Sequence, residues 1–545
     1  MNKNVRSSPF GSNAPVNRVV NNQTSNGEVN PPPRSINQPP KVRETVQEPT
    51  GTQGPKFSGG SVGTMGTYEN ATNMTADESL NQSDYETLKG FNSSKNFLRT
   101  TCEKFPANSV LLKEASFPIG LIINPCSTFE PELPAINYGE AEIPRCSSPQ
   151  CRAYINPFIK WLDGGDRWIC NLCKTMNTTE SYYFGKLDKN GYRADMYEKP
   201  DLSMGSYEFI ANKTYMKKDK LLSQPCFVFI IDVSQVSCQN GFLSSVLESI
   251  KGTINSDAMP YYERTKVAFI TYDSSIHFYC MNKKLTQPQM LCVSDDNIFL
   301  PSTIESLVVD LSSSKKMALT ALDLIQSSFS SNSCKDSSKL FTAINAGYLL
   351  AKNTGGKLLV FNASHSMTAL PKMKSSNTLN IPKDELIYTP TDDKQLSTMG
   401  INMTNDNISC DLFIAAESYT NIITLNQICD YTNGNLYLYK NFRLDAHYKN
   451  IFNQIRKCLT RFVCLESVVR TRFSRGYKIG SFVTPVLISN NDLLICANLD
   501  SDQSFTVGLD LIDSSPGTTD GNSSINQFSN DPYVYIQVNI ITIIK

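Results

Sequence analysis

Residues 226–234 read CFVFIIDVS, six apolar residues in a row closed by Asp232, Val233 and Ser234. A strand that is apolar at every position has both faces covered, which marks a parallel sheet clothed by helices. The next stretch, GFLSSVLESIKGTI (241–254), has helical spacing. The alternation then continues. TKVAFITYDSSIHFY (265–279) reads as a strand pair, SSKLFTAINAGYLLAKNTGG (337–356) as an amphipathic helix with a glycine stop, and KLLVFNAS (357–364) as another buried strand. CDLFIAA (410–416), the helix NIITLNQICDYTNG (421–434), NLYLY (435–439) and the helix AHYKNIFNQIRKCLTRF (446–462) extend it. Strand and helix in turn predict a doubly wound, largely parallel α/β domain over 223–460.

Beyond Val463 the period changes to two. LESVVRTRF, KIGSFVTPVLI, DLLICANL, SFTVGLDLI and VYIQVNIITIIK alternate apolar and polar residues, which is antiparallel sandwich material, and assign 461–545 to an incomplete β-sandwich. The run VLLKEASFPIGLIINP (110–125) has the same short, β-rich character, so 98–140 is expected to supply strands to a sheet elsewhere.

Between these parts lies RCSSPQCRAYINPFIKWLDGGDRWICNLC (145–173). Four residues separate Cys146 from Cys151, eighteen separate Cys151 from Cys170, and two separate Cys170 from Cys173. Two thiol hooks flanking a hairpin-length insert predict a zinc ribbon over 141–180, because each knuckle turns two thiolates toward one tetrahedral ion. A catalytic zinc keeps one position open for water, usually with histidine in its shell. Here four cysteines close the shell and no histidine is near, so one structural zinc ion is expected on Cys146, Cys151, Cys170 and Cys173. Trp161, Trp168, Tyr154, Ile155 and Phe158 are expected to cover it. Arg145, Arg152, Lys160, Arg167 and Lys174 surround the ribbon, but Lys+Arg and Asp+Glu are both 51. With no basic surplus, no nucleic-acid footprint is expected.

Residues 1–97 are rich in Asn, Pro, Gly, Ser and Gln, with PPP at 31–33, and are read as a disordered tail. Residues 181–222 read as a linker, and 365–409, rich in Asn, Ser and Thr, as a mobile insertion. No apolar run approaches the roughly 18 residues that span a bilayer, and MNKNVRSSPFGSNAPVN has no signal-peptide core. A soluble, cytosolic, multidomain protein is expected, with the other twelve of its 16 cysteines reduced. Asn-x-Ser/Thr matches such as Asn70, Asn73 and Asn212 then follow from composition, and the internal KDEL at 383–386 is not an address.

Catalytic signatures are missing: the chain has no phosphate loop, no dinucleotide fingerprint and no nucleophile elbow. Its three histidines, His277, His365 and His447, have no evident nucleophile beside them. No enzyme activity is expected. IIDVSQVS (230–237) approaches the Asp-x-Ser-x-Ser loop with which von Willebrand A domains hold Mg²⁺, but Val236 occupies the third ligand position and Ser237 is out of register. Asp232 and Ser234 are expected to cap the following turn. Arg470 and Arg472 alternate on one strand face, which reads as a solvated face.

Several of these stretches resemble the inner-layer subunits of the COPII vesicle coat, specifically the cargo-adaptor subunit. They are CRAYINPF and WICNLC in the ribbon, FVFIIDVS, IHFYCMNKKLTQPQMLCVSDDNIFLP (276–301), CDLFIAAESYTNIITLNQICDYTNGNLYLY (410–439) and LESVVRTRFSRG (465–476). The resemblance runs from about 105 to the C-terminus. It implies a zinc ribbon, a trunk resembling a von Willebrand A domain, and a β-sandwich assembled from segments on both sides of them. It also implies an adaptor in ER-to-Golgi transport that pairs with the paralogous GTPase-activating subunit. Its further partners would be the coat small GTPase, sorting signals in cytosolic tails of cargo proteins, and the ER membrane at exit sites and on vesicles, touched peripherally. The cargo-contact residues are unknown. The wide first knuckle is like that of the paralogue, which is the alternative reading; a metal-dependent adhesion-type ligand binder is another. The helical and gelsolin-like domains of the family are expected to be absent, as in a fragment or a truncated gene product.

Overall fold

A computed structural model describes residues 90–543 except 103, 107–108, 129–131, 213–214, 216–224, 261, 330–338, 365–393, 418–419, 421, 475, 491 and 513–532. The expected tail over 1–89, His365 and the segment KDEL therefore lie outside the described residues.

The N-terminal strands β1 (Leu98–Thr100) and β2 (Gly120–Ile123) form an antiparallel pair, and β3 (Ala135–Asn137) leads into the ribbon. The ribbon is a three-stranded antiparallel sheet of β4 (Lys160–Leu162), β5 (Arg167–Ile169) and β6 (Met176–Thr178). Strand β7 (Glu208–Ile210) then returns to pair in parallel with β3.

Strand β8 (Cys226–Asp232) opens the trunk and is buried at all seven positions, as its unbroken apolar run requires. It is followed by β9 (Lys266–Tyr272), β10 (Ile276–Cys280), β11 (Gln289–Val293), the two-residue β12 (Val309–Asp310), β13 (Gly356–Asn362), β14 (Ile408–Ala416) and β15 (Leu436–Lys440). The sheet order is β11-β10-β9-β8-β13-β14-β15, parallel from β9 to β15 and antiparallel beyond β9. Alternate residues of β8 serve two cores. Phe227, Phe229 and Ile231 pack with Val246, Leu247 and Ile250 of helix Phe242–Asn255 and with Ile451 and Ile455 of helix Leu444–Thr460. Val228 and Ile230 pack on the opposite face with Ala343, Ile344 and Leu350 of helix Leu340–Ala351. Gly347 lets that helix close onto the sheet, since a Cβ there would stand 2.5 Å from Ile230 Cδ1. Each large side chain sealed in this way contributes about 1.5–3 kcal/mol.

The last strands are β16 (Val463–Phe473), β17 (Tyr477–Val483), β18 (Leu487–Asn490), β19 (Leu493–Asp500), β20 (Phe505–Leu511) and β21 (Ile536–Ile543). They make two four-stranded sheets, β1-β2-β20-β17 and β18-β19-β16-β21. The strands before the ribbon thus complete a sandwich whose remainder follows the trunk. Leu121, Ile123, Phe505 and Val507 of one sheet share a core with Val469, Leu494, Cys496 and Leu499 of the other.

Four expectations need correction. Of the supposedly β-rich run 110–125 only Gly120–Ile123 is a strand, and its first part belongs to a helix, Ser109–Ala115, because LLKEA is made of good helix formers and is stopped by Pro118 beyond it. The supposed linker at 181–222 is folded over much of its length: it carries a 3-10 turn (Met196–Glu198), a short helix (Pro200–Ser203) and β7, and it buries Arg193 completely. Within the supposed insertion, Lys394–Asn405 is an amphipathic helix that buries Leu396, Met399 and Met403, and Ile408 already belongs to β14. Residues 90–97 fold with the ribbon and not the tail, since Phe91 is buried in the ribbon's core. No helix among the described residues is long and apolar enough to cross a membrane.

Candidate metal centre and partner surfaces

The two knuckles of the ribbon are built by backbone hydrogen bonds that any sequence of the right turn chemistry can make. Cys146 N–H donates to the Ala153 carbonyl at 2.7 Å and Cys151 N–H to Ser148 at 3.2 Å; Arg152, which follows, takes a positive φ of 47°. In the second knuckle Cys170 N–H donates to Thr175 and Lys174 N–H to Cys170, with Lys174 at φ 61°. The hairpin β4–β5 sets the hooks face to face and pairs Trp161 with Trp168. Both tryptophans, Ile155 and the buried Cys146 and Cys170 share one apolar cluster, packed against Phe158.

The four sulfurs lie within 4.8 Å of one another, with Cys146 and Cys173 at 3.5 Å and Cys151 and Cys170 at 3.8 Å. Four thiolates about 2.3 Å from a tetrahedral Zn²⁺ stand about 3.8 Å apart, so the cluster fits that ion. Hydrogen bonding from Cys170 holds the Cys151 thiol down to about 5, while burial pushes Cys146 up to about 11. Four thiolates held this close repel one another, and a dication at their centre offsets that repulsion. The four-cysteine cluster supports one structural zinc ion.

The cage is held from outside as well. Asn177 Oδ1 accepts hydrogen bonds from Ser147 N (2.7 Å) and Ser147 Oγ (2.8 Å), bracing the first knuckle. From the sandwich, Arg472 Nε donates to the Cys151 carbonyl at 2.6 Å. The Gln537 carboxamide pairs with both backbone groups of Tyr154, accepting from its N–H at 3.0 Å and donating to its carbonyl at 2.9 Å. Arg472 is therefore no solvated-face residue but a strut, whereas Arg470, two residues away, makes a half-exposed ion pair with Asp492. Behind the hairpin, the buried Arg193 guanidinium lies over the rings of Trp161 and Tyr183 and pairs with Asp195 at 2.6 Å.

At the loop after β8, Asp232 is fully buried and spends both oxygens on backbone N–H groups. Oδ1 accepts from Ser234 at 2.8 Å, and Oδ2 accepts from Ala363 at 2.9 Å and Ser364 at 2.7 Å. Ser234 caps the short helix Gln235–Gln239. With Val236 at the third ligand position, this loop is a turn lock that lacks the oxygen set a hard cation needs. His277 lies between Thr271, Asp273 and the Phe329 ring, and His447 caps its own helix start at Arg443.

Two surfaces stand out that sequence reasoning did not assign. Strand β11 is one of the two edge strands of the trunk sheet and exposes Gln289, Met290 and Cys292, with Phe299 exposed nearby in sequence. Beside the first knuckle, the Arg145 guanidinium sits over the Tyr215 ring at 5.6 Å with its buried Nε lacking a hydrogen-bond partner among the described residues. Arg145 and Arg152 both pull the Tyr215 hydroxyl pKa down, though burial raises it overall.

Residues 222–459 match the Sec23/Sec24 trunk domain and residues 143–183 the Sec23/Sec24 zinc finger. The chain is 31% identical to "Protein transport protein SEC24 A" of Arabidopsis thaliana over 446 residues, which is 80% of this chain and 42% of that protein. It is 30% identical to human "Protein transport protein Sec24D" over 429 residues, 76% of this chain and 41% of that protein. The crystal structure of the human COPII-coat protein Sec24c superposes with a TM-score of 0.73 at 27% identity, covering 83% of this chain and 60% of that one. The chain thus spans about two fifths of the length of these curated relatives.

Proposed function

The chain belongs to the Sec23/Sec24 family and is Sec24-like, and from that premise we propose that it is a cargo-selecting adaptor of the COPII coat acting in ER-to-Golgi vesicle transport. The observation that carries this reading is that zinc ribbon, trunk and split sandwich occur together in one chain, in the arrangement of the Sec24c coat protein. The reading has no enzymatic part. Cys146, Cys151, Cys170 and Cys173 hold the zinc, which acts as a scaffold. The domains are the tail (1–89), the first sandwich strands (98–140), the ribbon (141–180) with residues 90–97 and 181–210 packed with it, the trunk (223–460) and the second part of the sandwich (461–545).

The paralogous GTPase-activating subunit docks at the trunk. The exposed edge of β11, with Met290, supports this, since an edge strand offers unpaired backbone groups and an apolar rim. The coat small GTPase and a peripheral contact with the ER membrane at exit sites complete the assembly. Cytosolic cargo tails with acidic signals fit the Arg145–Arg152 surface, where two partly exposed guanidinium groups stand near the Tyr215 ring.

The test is titration of fluorescent peptides from cytosolic tails carrying two or more carboxylates, against the zinc-loaded chain. Binding that falls at least tenfold in Arg145→Glu or Arg152→Glu, and with carboxamide-substituted peptides, supports the adaptor reading; equal binding of charged and neutral peptides overturns the assignment of that surface. The wide first knuckle favours a second reading as the GTPase-activating subunit itself. Stimulated GTP hydrolysis by the coat GTPase in the presence of this chain alone would establish it.

A further inference from the structure

The sandwich contains a thiol pair that neither the zinc centre nor the adaptor reading uses. Cys126 follows β2 in the first sheet and is half-buried; Cys464 is the second residue of β16 in the other sheet and is buried. Their sulfurs are 3.4 Å apart, although 338 positions separate them in the chain. We propose that Cys126 and Cys464 are a redox-sensitive pair that a hydroperoxide closes to a disulfide, joining the two sheets of the sandwich across the ribbon and trunk inserted between them.

The step balances as a two-electron oxidation. The Cys126 thiolate attacks one oxygen of the peroxide, the O–O bond breaks, the alcohol or water leaves, and Cys126 becomes a sulfenic acid. The Cys464 sulfur then attacks that sulfur, the S–S bond forms, the S–O bond breaks, and water departs with the Cys464 proton. Cys126 comes first because it is the thiol that solvent reaches; Cys464 resolves it from inside. The groups facing Cys126 are Cys464 itself and, from β19, Cys496 and Asp500, the latter paired with Arg461. The hydrogen bond with Cys464 and burial together hold the Cys126 thiol above its ordinary range, so attack is slow near neutrality and gains with pH. Below the thiol's pKa the thiolate fraction, and with it the initial rate, rises about tenfold per pH unit.

The experiment treats the zinc-loaded full chain with hydrogen peroxide, blocks remaining thiols with N-ethylmaleimide, and maps peptides by mass spectrometry without reduction. The exposed Cys292 reports that oxidant and alkylating agent reached the protein. The expected result is a Cys126–Cys464 peptide that dithiothreitol separates, that Cys126→Ser and Cys464→Ser both abolish, and that forms about tenfold faster at pH 8 than at pH 7. The oxidised chain should also melt higher than the reduced one and return on reduction. Oxidation of Cys292 without any Cys126–Cys464 peptide would overturn the proposal, and so would linkage of Cys126 to Cys496 instead.

Discussion

The guanidinium of Arg472, on a strand that follows the trunk, donates a 2.6 Å hydrogen bond to the carbonyl of Cys151 in the zinc knuckle that precedes it. Its other arm reaches Asn539 of the final strand, so one side chain ties three distant segments together. The ribbon is thus positioned by the sandwich, and the sandwich reports on the ribbon.

Replacing Arg472 by Met should therefore cost about 1–3 kcal/mol, the usual loss when a hydrogen bond to a charged group is removed and its buried partner stranded. Arg470→Ala, which breaks a half-exposed pair, should cost less than about 1 kcal/mol. Urea unfolding followed by tryptophan fluorescence separates the two, because Trp161 and Trp168, the chain's two tryptophans, both lie in the ribbon.

Chelating the zinc, or mutating Cys170→Ser, should open the ribbon while the trunk stays folded, since the trunk has its own two cores. Limited proteolysis should then cut first within 143–183, and circular dichroism should keep its helical signal. Loss of the helical signal together with the metal would contradict this.

Asp195 gives the acid limb of stability a handle. Hydrogen bonding from Arg193 holds its carboxyl below the ordinary aspartate value. The folded state thus favours the carboxylate, so its contribution is complete above about pH 4 and fades as pH falls through the lowered folded value. Asp195→Asn should lower the melting temperature at pH 7, where it leaves the buried Arg193 charge unpaired, and should flatten the dependence below about pH 4.

Asp232 is predicted to be a lock. Asp232→Ala strands three backbone N–H groups and should destabilise by about 2–4 kcal/mol. Added Mg²⁺ should leave the melting temperature of the unmodified chain unchanged. A saturable rise in melting temperature with Mg²⁺ would restore the adhesion-type reading.

What the residues disclosed by themselves was local. The fully apolar runs of β8 and β13 announced a sheet with two covered faces, and the hooks from Cys146 to Cys173 announced a tetrahedral cage. The helix Leu311–Ser328 went unread because its serines and lysines dilute an apolar stripe that is present at Leu311, Ala318, Leu322 and Ile325. The helix Lys394–Asn405 was hidden in the same way by Ser, Thr and Asn. Long-range features had no local signal at all. The β3–β7 pairing that folds the supposed linker, the Arg193 plug, and the grips of Arg472 and Gln537 on the ribbon join segments far apart in the chain. Membership of a known family supplied the split sandwich, which periodicity had shown only as orphan strands.

The proposed adaptor function rests on pairing through the trunk with the paralogous coat subunit. Sedimentation of the zinc-loaded chain mixed with that subunit, with zinc counted in the same sample, tests it directly. The expected result is a one-to-one complex that Met290→Glu on the edge strand dissociates, with one zinc contributed by this chain. A folded chain carrying one zinc that sediments alone at micromolar concentrations of both proteins would contradict it.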